Sequence, residues 1–169
     1  MMVVEGELEE GVPTTTGATP DLEVLFRGES DAVYRTLLAF TGGRADVAEE
    51  ATAEAFARAI AHQGELRDPL AWIYRVAFRA AIDELRLDVR RTARPATDVP
   101  APPHELIGVM DALSRLAPNQ RAAIVLRHVL DLDVDEVAAR MGVAVPTVRV
   151  HLFRARRRLR ELLGSEEVE

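Results

Sequence analysis

Residues 131–163 read DLDVDEVAARMGVAVPTVRVHLFRARRRLRELL, and everything else in the chain can be placed relative to them. Val134, Val137, Ala138 and Met141 recur at helical spacing, Gly142 stops that helix, and a second apolar stripe runs through Val148, Leu152, Ala155, Leu159 and Leu162. Two short helices across a tight turn predict a helix-turn-helix. Asp133 with Glu136 three residues on is the signature of a capping box that opens the first of the two helices. On the second helix each residue turns by about 100°, so Arg149, Val150, Phe153, Arg154 and Arg157 point away from the stripe. Six arginines stand there against one acid, Glu161. A solvated charged face is the plain alternative, but arginines clustered on a helix that follows a Gly turn suit phosphates and guanine edges.

Upstream, Leu106, Val109, Met110, Leu113 and Leu116 predict one amphipathic helix. Pro118 opens another through His128, with Ile124, Val125, Leu126 and Val129 as its apolar candidates. With the pair above they make a four-helix module over residues 104–164. Residues 93–103, ARPATDVPAPP, contain four prolines and read as an extended linker. Before the linker a second helical domain spans residues 21–92. Its first helix is marked by Leu22, Leu25, Phe26, Val33, Leu37, Leu38 and Phe40 and is closed by Thr41-Gly42-Gly43. Asp46 and Glu49 predict a capping box for a helix over 47–61, burying Val47, Ala51, Ala55, Phe56, Ala59 and Ile60 and displaying Glu49, Glu50, Glu54 and Arg58. After a loop over 62–67, Asp68 caps a helix from Pro69 to about Arg91. It buries Leu70, Ile73, Ala77, Ala80 or Ala81, and Leu85. Trp72, Tyr74 and Phe78 alternate there with Arg75, Arg79, Arg86, Arg90 and Arg91, a composition that suits single-stranded nucleic acid, although Trp72 and Phe78 are equally good core residues.

The fold class predicted is therefore all-α, in two small helical domains joined by a Pro-rich linker, the C-terminal one with the helix-turn-helix. The formal charge of −7 is unevenly spread. Residues 1–20, which read as a disordered tail, carry four acids and no base, and residues 165–169 carry three acids. Residues 104–164 carry ten arginines against seven acids, so a basic module lies behind acidic neighbours. No cysteine is present, which excludes disulfides and thiolate zinc sites, and all 21 basic residues are arginine, which excludes a Walker-type phosphate loop and a Schiff-base lysine. Asp131, Asp133 and Asp135 alternate like calcium ligands, but Glu136 and Gly142 stand where that loop needs Gly and a bidentate Glu, so no metal is expected. The histidines at 62, 104, 128 and 151 and the three serines form no catalytic spacing. Neither catalytic residues nor a cofactor are expected. The absence of a long apolar run and the acidic start point to a soluble, cytoplasmic protein without membrane insertion.

Four pieces in order resemble a sigma factor of bacterial RNA polymerase of the extracytoplasmic-function branch. That family's Ala-Glu-Asp-x-x-Gln-Glu-x-Phe-x-Arg helix is similar to residues 48–58, from Ala48-Glu49-Glu50 to Phe56-Ala57-Arg58. Its next helix is similar to Trp72-Ile73-Tyr74-Arg75-Val76-Ala77 and Ala81-Ile82-Asp83-Glu84-Leu85-Arg86. Its Leu-Pro-x-x-x-Arg-x-Val is met by residues 117–124, and Arg154-Ala155-Arg156 follows in the helix-turn-helix. The resemblance spans about residues 21–163. It implies a non-enzymatic specificity subunit with core RNA polymerase and promoter DNA as partners, and it leaves room for an anti-sigma factor. Glu49, Glu50, Glu54 and Arg58 would meet the clamp of the largest polymerase subunit. His62, Gln63, Arg67, Trp72, Arg75, Arg79 and Arg86 would meet the minus-ten element, with the loop pocketing a flipped base. Thr147, Arg149, Val150, Phe153, Arg154 and Arg157 would meet the minus-thirty-five element. Three positions depart from the family pattern: Ala53 for Gln, Arg79 for Asn, and Ala144 for the Ser that caps the recognition helix, a loss of about 1 kcal/mol. The competing expectation is a free-standing helix-turn-helix regulator that uses residues 104–163 alone and ignores polymerase. A helical enzyme is a third, disfavoured by the lack of a nucleophile or metal set.

Overall fold

The computed structural model describes residues 21–90 and 104–164, and every regular element among them is a helix. The two tails and residues 91–103, which include the linker over 93–103 and Arg91, lie outside the described residues. Helix α1 (Leu22–Phe40) starts at Asp21, whose carboxylate accepts the Glu23 N–H at 3.0 Å. It passes through Gly28 and buries Leu22, Val33, Thr36, Leu37 and Phe40. Leu25 and Leu38 are half-buried, and Phe26 stays exposed with its ring edge-on to Phe56 at 5.0 Å.

Helix α2 (Ala45–Ala61) corrects the expected capping box. Arg44 occupies the N-cap position with no side-chain cap bond, and Asp46 sits within the first turn. The reason is a stronger competitor: Arg44 donates to both Asp46 oxygens, at 2.9 and 2.7 Å, and reaches Asp88 of α3 at 2.7 Å. Hydrogen bonding from this guanidinium holds the Asp46 carboxyl below its ordinary range. Ala48, Ala51, Ala55 and Ala59 line the buried face with Val47, Thr52 and Phe56. Ile60, expected inside, is 59% exposed, because the neighbouring Ala59 takes the inward position.

Helix α3 (Pro69–Arg90) has Asp68 accepting the Ala71 N–H at 3.0 Å, as the sequence predicts. It buries Ala71, Ile73, Tyr74, Ala77, Phe78 and Ala81, whereas Leu70, Ala80 and Leu85 are half-buried. Two of its three aromatics are therefore core: Phe78 stands edge-on to Phe40 at 5.0 Å, and Tyr74 is 1% exposed.

Helix α4 (His104–Ser114) packs through its last turn, where Ala112 and Leu113 are buried and Leu116 follows. Leu106 and Val109, expected on the inner face, are exposed. Helix α5 (Pro118–Val129) begins on Pro118 and buries Ala122 to Leu126, leaving Val129 exposed at its end. Helix α6 (Val134–Met141) has the expected capping box: Asp133 accepts the Glu136 N–H at 2.8 Å, and Glu136 accepts the Asp133 N–H at 2.9 Å. Gly142 ends it at φ 68°, a left-handed conformation that suits glycine. Helix α7 (Val145–Gly164) buries Val148, Leu152 and Ala155. Without a capping hydroxyl at Ala144, the Thr147 and Val148 N–H groups bond to the Ala144 carbonyl at 2.9 and 3.2 Å.

Helices α1–α3 pack on one another, as do α4–α7, and the two groups also pack together, α1 on α4 and α5, and α3 on α6. Arg121 of α5 crosses that junction. It donates to the Phe40 carbonyl at 3.1 Å and to the Ser114 carbonyl at 2.6 Å, with its charge 5.1 Å above the Phe40 ring. Burial of this guanidinium pulls Arg121 below the ordinary arginine value.

Candidate nucleic-acid interface

The turn after α2 is built by its own backbone. The His62 N–H bonds to the Arg58 and Ala59 carbonyls at 3.1 and 3.2 Å, and Gly64 takes φ 96° to reverse the chain. This brings His62 to Trp72 on α3, ring centroids 5.8 Å apart, with His62 Nδ1 3.3 Å from the Glu65 carboxylate. His62, Glu65, Leu66, Arg67, Asp68, Trp72 and Arg75 enclose a cleft of about 540 Å³. Four of the residues expected at the minus-ten element thus come together. Gln63 is exposed on the turn and is not part of the lining.

Trp72 and Arg75 also line a second cleft, of about 550 Å³, with Arg79 and Arg86. Residues 75, 79 and 86 fall on one face of α3, and none of their guanidinium groups has an ion pair among the described residues. An indole edge beside unpaired guanidinium groups can stack a base and neutralise phosphates. Two further arginines join this cleft. Arg58, expected beside the acidic face of α2, lines it while pairing with Glu54, and Arg140 of α6 enters from the C-terminal helices. Nothing in the local sequence marks Arg140, because only tertiary packing brings α6 to α3.

On α7 the residues expected at the minus-thirty-five element, Thr147, Arg149, Val150, Phe153, Arg154 and Arg157, are all exposed, Phe153 at 64%. An aromatic ring this exposed is more than packing requires of it, and it sits between two arginines with no ion pair among the described residues, Arg149 and Arg154. Arg157 is partly engaged, 3.4 Å from Glu161. On α2, Glu49 and Glu50 are exposed and Glu54 is half-buried.

Residues 107–159 match the family model described as Sigma-70, region 4. The ECF RNA polymerase sigma factor SigM of Mycobacterium tuberculosis is 32% identical over 149 residues, covering 83% of this chain and 76% of the relative. The ECF RNA polymerase sigma factor SigE of Mycolicibacterium smegmatis is 31% identical over 168 residues, covering 90% of this chain and 65% of the relative, so the chain spans just under two thirds of that protein. The likeness is therefore not confined to the helix-turn-helix. Among solved structures, the sigma factor RpoE of Bartonella quintana in complex with the anti-sigma factor NepR shares the fold, with a TM-score of 0.67 and 22% identity over 85% of this chain and 97% of that one.

Proposed function

The chain belongs to the extracytoplasmic-function family of RNA polymerase sigma factors, and from that premise we propose that it directs core polymerase to specific promoters as a non-enzymatic subunit acting in the cytoplasm. Residues 21–92 and 104–164 serve as its two domains. The first takes the polymerase clamp through Glu49, Glu50, Glu54 and Arg58 and the minus-ten element through His62, Arg67, Trp72, Arg75, Arg79 and Arg86, with Gln63 at the exposed rim. The second takes the minus-thirty-five element through Thr147, Arg149, Val150, Phe153, Arg154 and Arg157. An anti-sigma factor is a further partner, by likeness to the Bartonella quintana sigma factor solved in complex with one. Among the described residues no helix is long and apolar enough to cross a membrane.

The observation that carries this reading is that Trp72 and Arg75 line both the cleft at the His62–Arg67 turn and the neighbouring cleft, where Arg79 and Arg86 join them, and that none of these three arginines has an ion pair among the described residues. Unpaired cations beside an aromatic edge fit a separated strand better than a protein surface, where arginines are commonly paired with acids. The test is co-purification with core RNA polymerase, for the parent chain and for Glu50→Arg with Glu54→Arg. The parent should assemble with core enzyme. The double variant, whose reversed charges lie on one helix face, should lose assembly while its helical circular dichroism stays unchanged. Assembly of the double variant at parental affinity would leave the α2 acids as a solvated face.

A further inference from the structure

Four glutamates, Glu5, Glu7, Glu9 and Glu10, stand near the head of the chain with no base among them, and residues 11–20 carry no charge at all. The contacts proposed above with polymerase and promoter use none of the four. Glu5, Glu7 and Glu9 alternate, a period that sets three carboxylates on one side of an extended chain about 7 Å apart. Arg75 and Arg79 are one helical turn apart on α3, where β-carbons stand about 5–6 Å from one another. Two rows of opposite charge with nearly the same repeat can pair member to member.

The arginine row has charge to spare. Arg75, Arg79, Arg86 and Arg140 have no ion pair among the described residues, and all four line the cleft of about 550 Å³, in which Asp83 is the one acid. The chain also enters α1 at an end of the fold from which that row can be reached. Phe26 lies edge-on to Phe56 at 5.0 Å, so α1 begins beside the last turns of α2, which carry Arg58, another lining residue. The ten uncharged residues 11–20 can span about 33–36 Å, whereas α3 rises only about 21 Å from Trp72 to Arg86. The outward face of α2 repels an acidic segment, because it displays Glu49 and Glu50.

We infer that residues 5–10 act as an internal polyanion that seats on Arg75, Arg79 and Arg86, so that a nucleic-acid strand reaches this face only by displacing them. The competition rests on the minus-ten reading of the face, while the contact itself needs only the two rows of charge. A stray polyanion then meets a neutralised surface, and its apparent affinity is reduced to the fraction of chains whose acidic segment is unseated. The attraction joins exposed charges, so it fades as the screening length falls from about 10 Å at about 0.1 M salt to about 3 Å at about 1 M.

Trp72 is the single tryptophan and lines the cleft, and the chain has no cysteine, so a bimane dye on Gly6→Cys reports the contact through quenching by the indole. In the full-length chain the dye should be quenched at about 0.1 M salt and recover at about 1 M. Glu5→Gln, Glu7→Gln, Glu9→Gln and Glu10→Gln together should restore emission at low salt. Arg75→Gln with Arg79→Gln should do the same while leaving the indole in place. Without the dye, the four-glutamine chain should bind a single-stranded DNA oligonucleotide of random sequence about fivefold more tightly at about 0.1 M salt, the gain for a segment seated in about four chains of five. At about 1 M that gain should vanish. Glu166→Gln with Glu167→Gln and Glu169→Gln controls for net charge and should change the affinity by less than about twofold. Emission that is equally bright in all the chains, or indifferent to salt, overturns the seat. An equal gain from the C-terminal substitutions, or unseating without any gain where the parent binds measurably, overturns the competition. Quenching relieved by both sets of variants, with no DNA binding by any chain, overturns the minus-ten reading and the competition with it, while the contact stands.

Discussion

Arg149, Phe153 and Arg154 stand exposed in the first half of α7, the half that would enter a major groove under the proposed function, while Arg158 and Arg160 lie farther along the same helix. A guanidinium that forks onto a guanine edge discriminates between bases by about 1–3 kcal/mol, whereas one on a phosphate adds equally to every sequence and to the salt slope. Arg149→Ala and Arg154→Ala should therefore relax preference at particular minus-thirty-five positions. Arg158→Ala, already sharing Glu161 at 3.2 Å, and Arg160→Ala should weaken binding evenly or little. Competition of single-base promoter variants for the holoenzyme separates the two, and uniform losses for Arg149 and Arg154 would remove them from base readout. Which arginines point outward was legible from the stripe of Val148, Leu152 and Ala155, because a helix with one apolar face fixes the other. Which aromatics on α3 point outward was not. Trp72 and Phe78 carry the same weight in a hydrophobic pattern, and only the ring of Phe40, delivered by α1, decides that Phe78 goes inside.

At the level of the element, the two expected capping boxes make a natural contrast. Asp133 and Glu136 close theirs, and neither carboxylate has an ion pair among the described residues. Asp46 is taken by Arg44, and Arg44 in turn ties the start of α2 to Asp88 on α3. The sequence signature was the same in both places, but a charge-assisted pair outweighs a backbone N–H for a carboxylate that can reach either. Asp133→Ala removes a cap from an eight-residue helix that stands between the α3 arginines and α7. It should cost about 1 kcal/mol, read as a lower urea midpoint with an unchanged slope. Asp46→Asn breaks no cap, and its effect should follow the ion pair: the difference from parent is largest near neutral pH and shrinks as the pH falls through the depressed Asp46 pKa, where the parent loses its carboxylate as well. An Asp46 variant whose deficit is independent of pH would show that the helix end, rather than the charge, is what Asp46 supports. Helix existence and order were readable because each stretch carries its own period. Ile60, Leu106, Val109 and Val129 were misplaced because apolar spacing does not show which turns meet a neighbour: Ala59 takes the inward place beside Ile60, and α4 is buried only in its last turn.

Across the whole molecule, composition predicted helices in two groups, and the structure adds a junction between them that no linear pattern contains. Its most connected member is Arg121, which a resemblance to the family had marked only as part of a motif. Its guanidinium meets the carbonyls of Phe40, Ser114 and Leu116, so it joins the end of α1 to the turn between α4 and α5. Hydrogen bonds from a charged donor contribute about 1.5–3 kcal/mol each, and a partly desolvated cation–π contact about 1–2 kcal/mol. Against them stands the unpartnered Nε, which alanine would relieve. These terms are not additive, and Arg121→Ala should fall at the upper end of single-substitution effects, about 3 kcal/mol or more, above the roughly 0.5 kcal/mol of an ordinary surface change such as Arg160→Ala. Its form matters as much as its size. Arg121 belongs at once to the α4–α5 turn and to the junction with α1, so its removal should weaken the C-terminal helices and uncouple them from α1–α3. Calorimetry of the parent should give one transition whose calorimetric and van't Hoff enthalpies agree, and Arg121→Ala should give two, the lower belonging to the C-terminal helices. Arg140→Ala, which removes the cation from above the Tyr74 ring, should separate the two transitions without lowering the midpoint of either by more than a few degrees. A single cooperative transition in Arg121→Ala, displaced by no more than that of Arg160→Ala, would mean that the two groups are held together by their apolar contacts and that the arginine is a passenger at the junction.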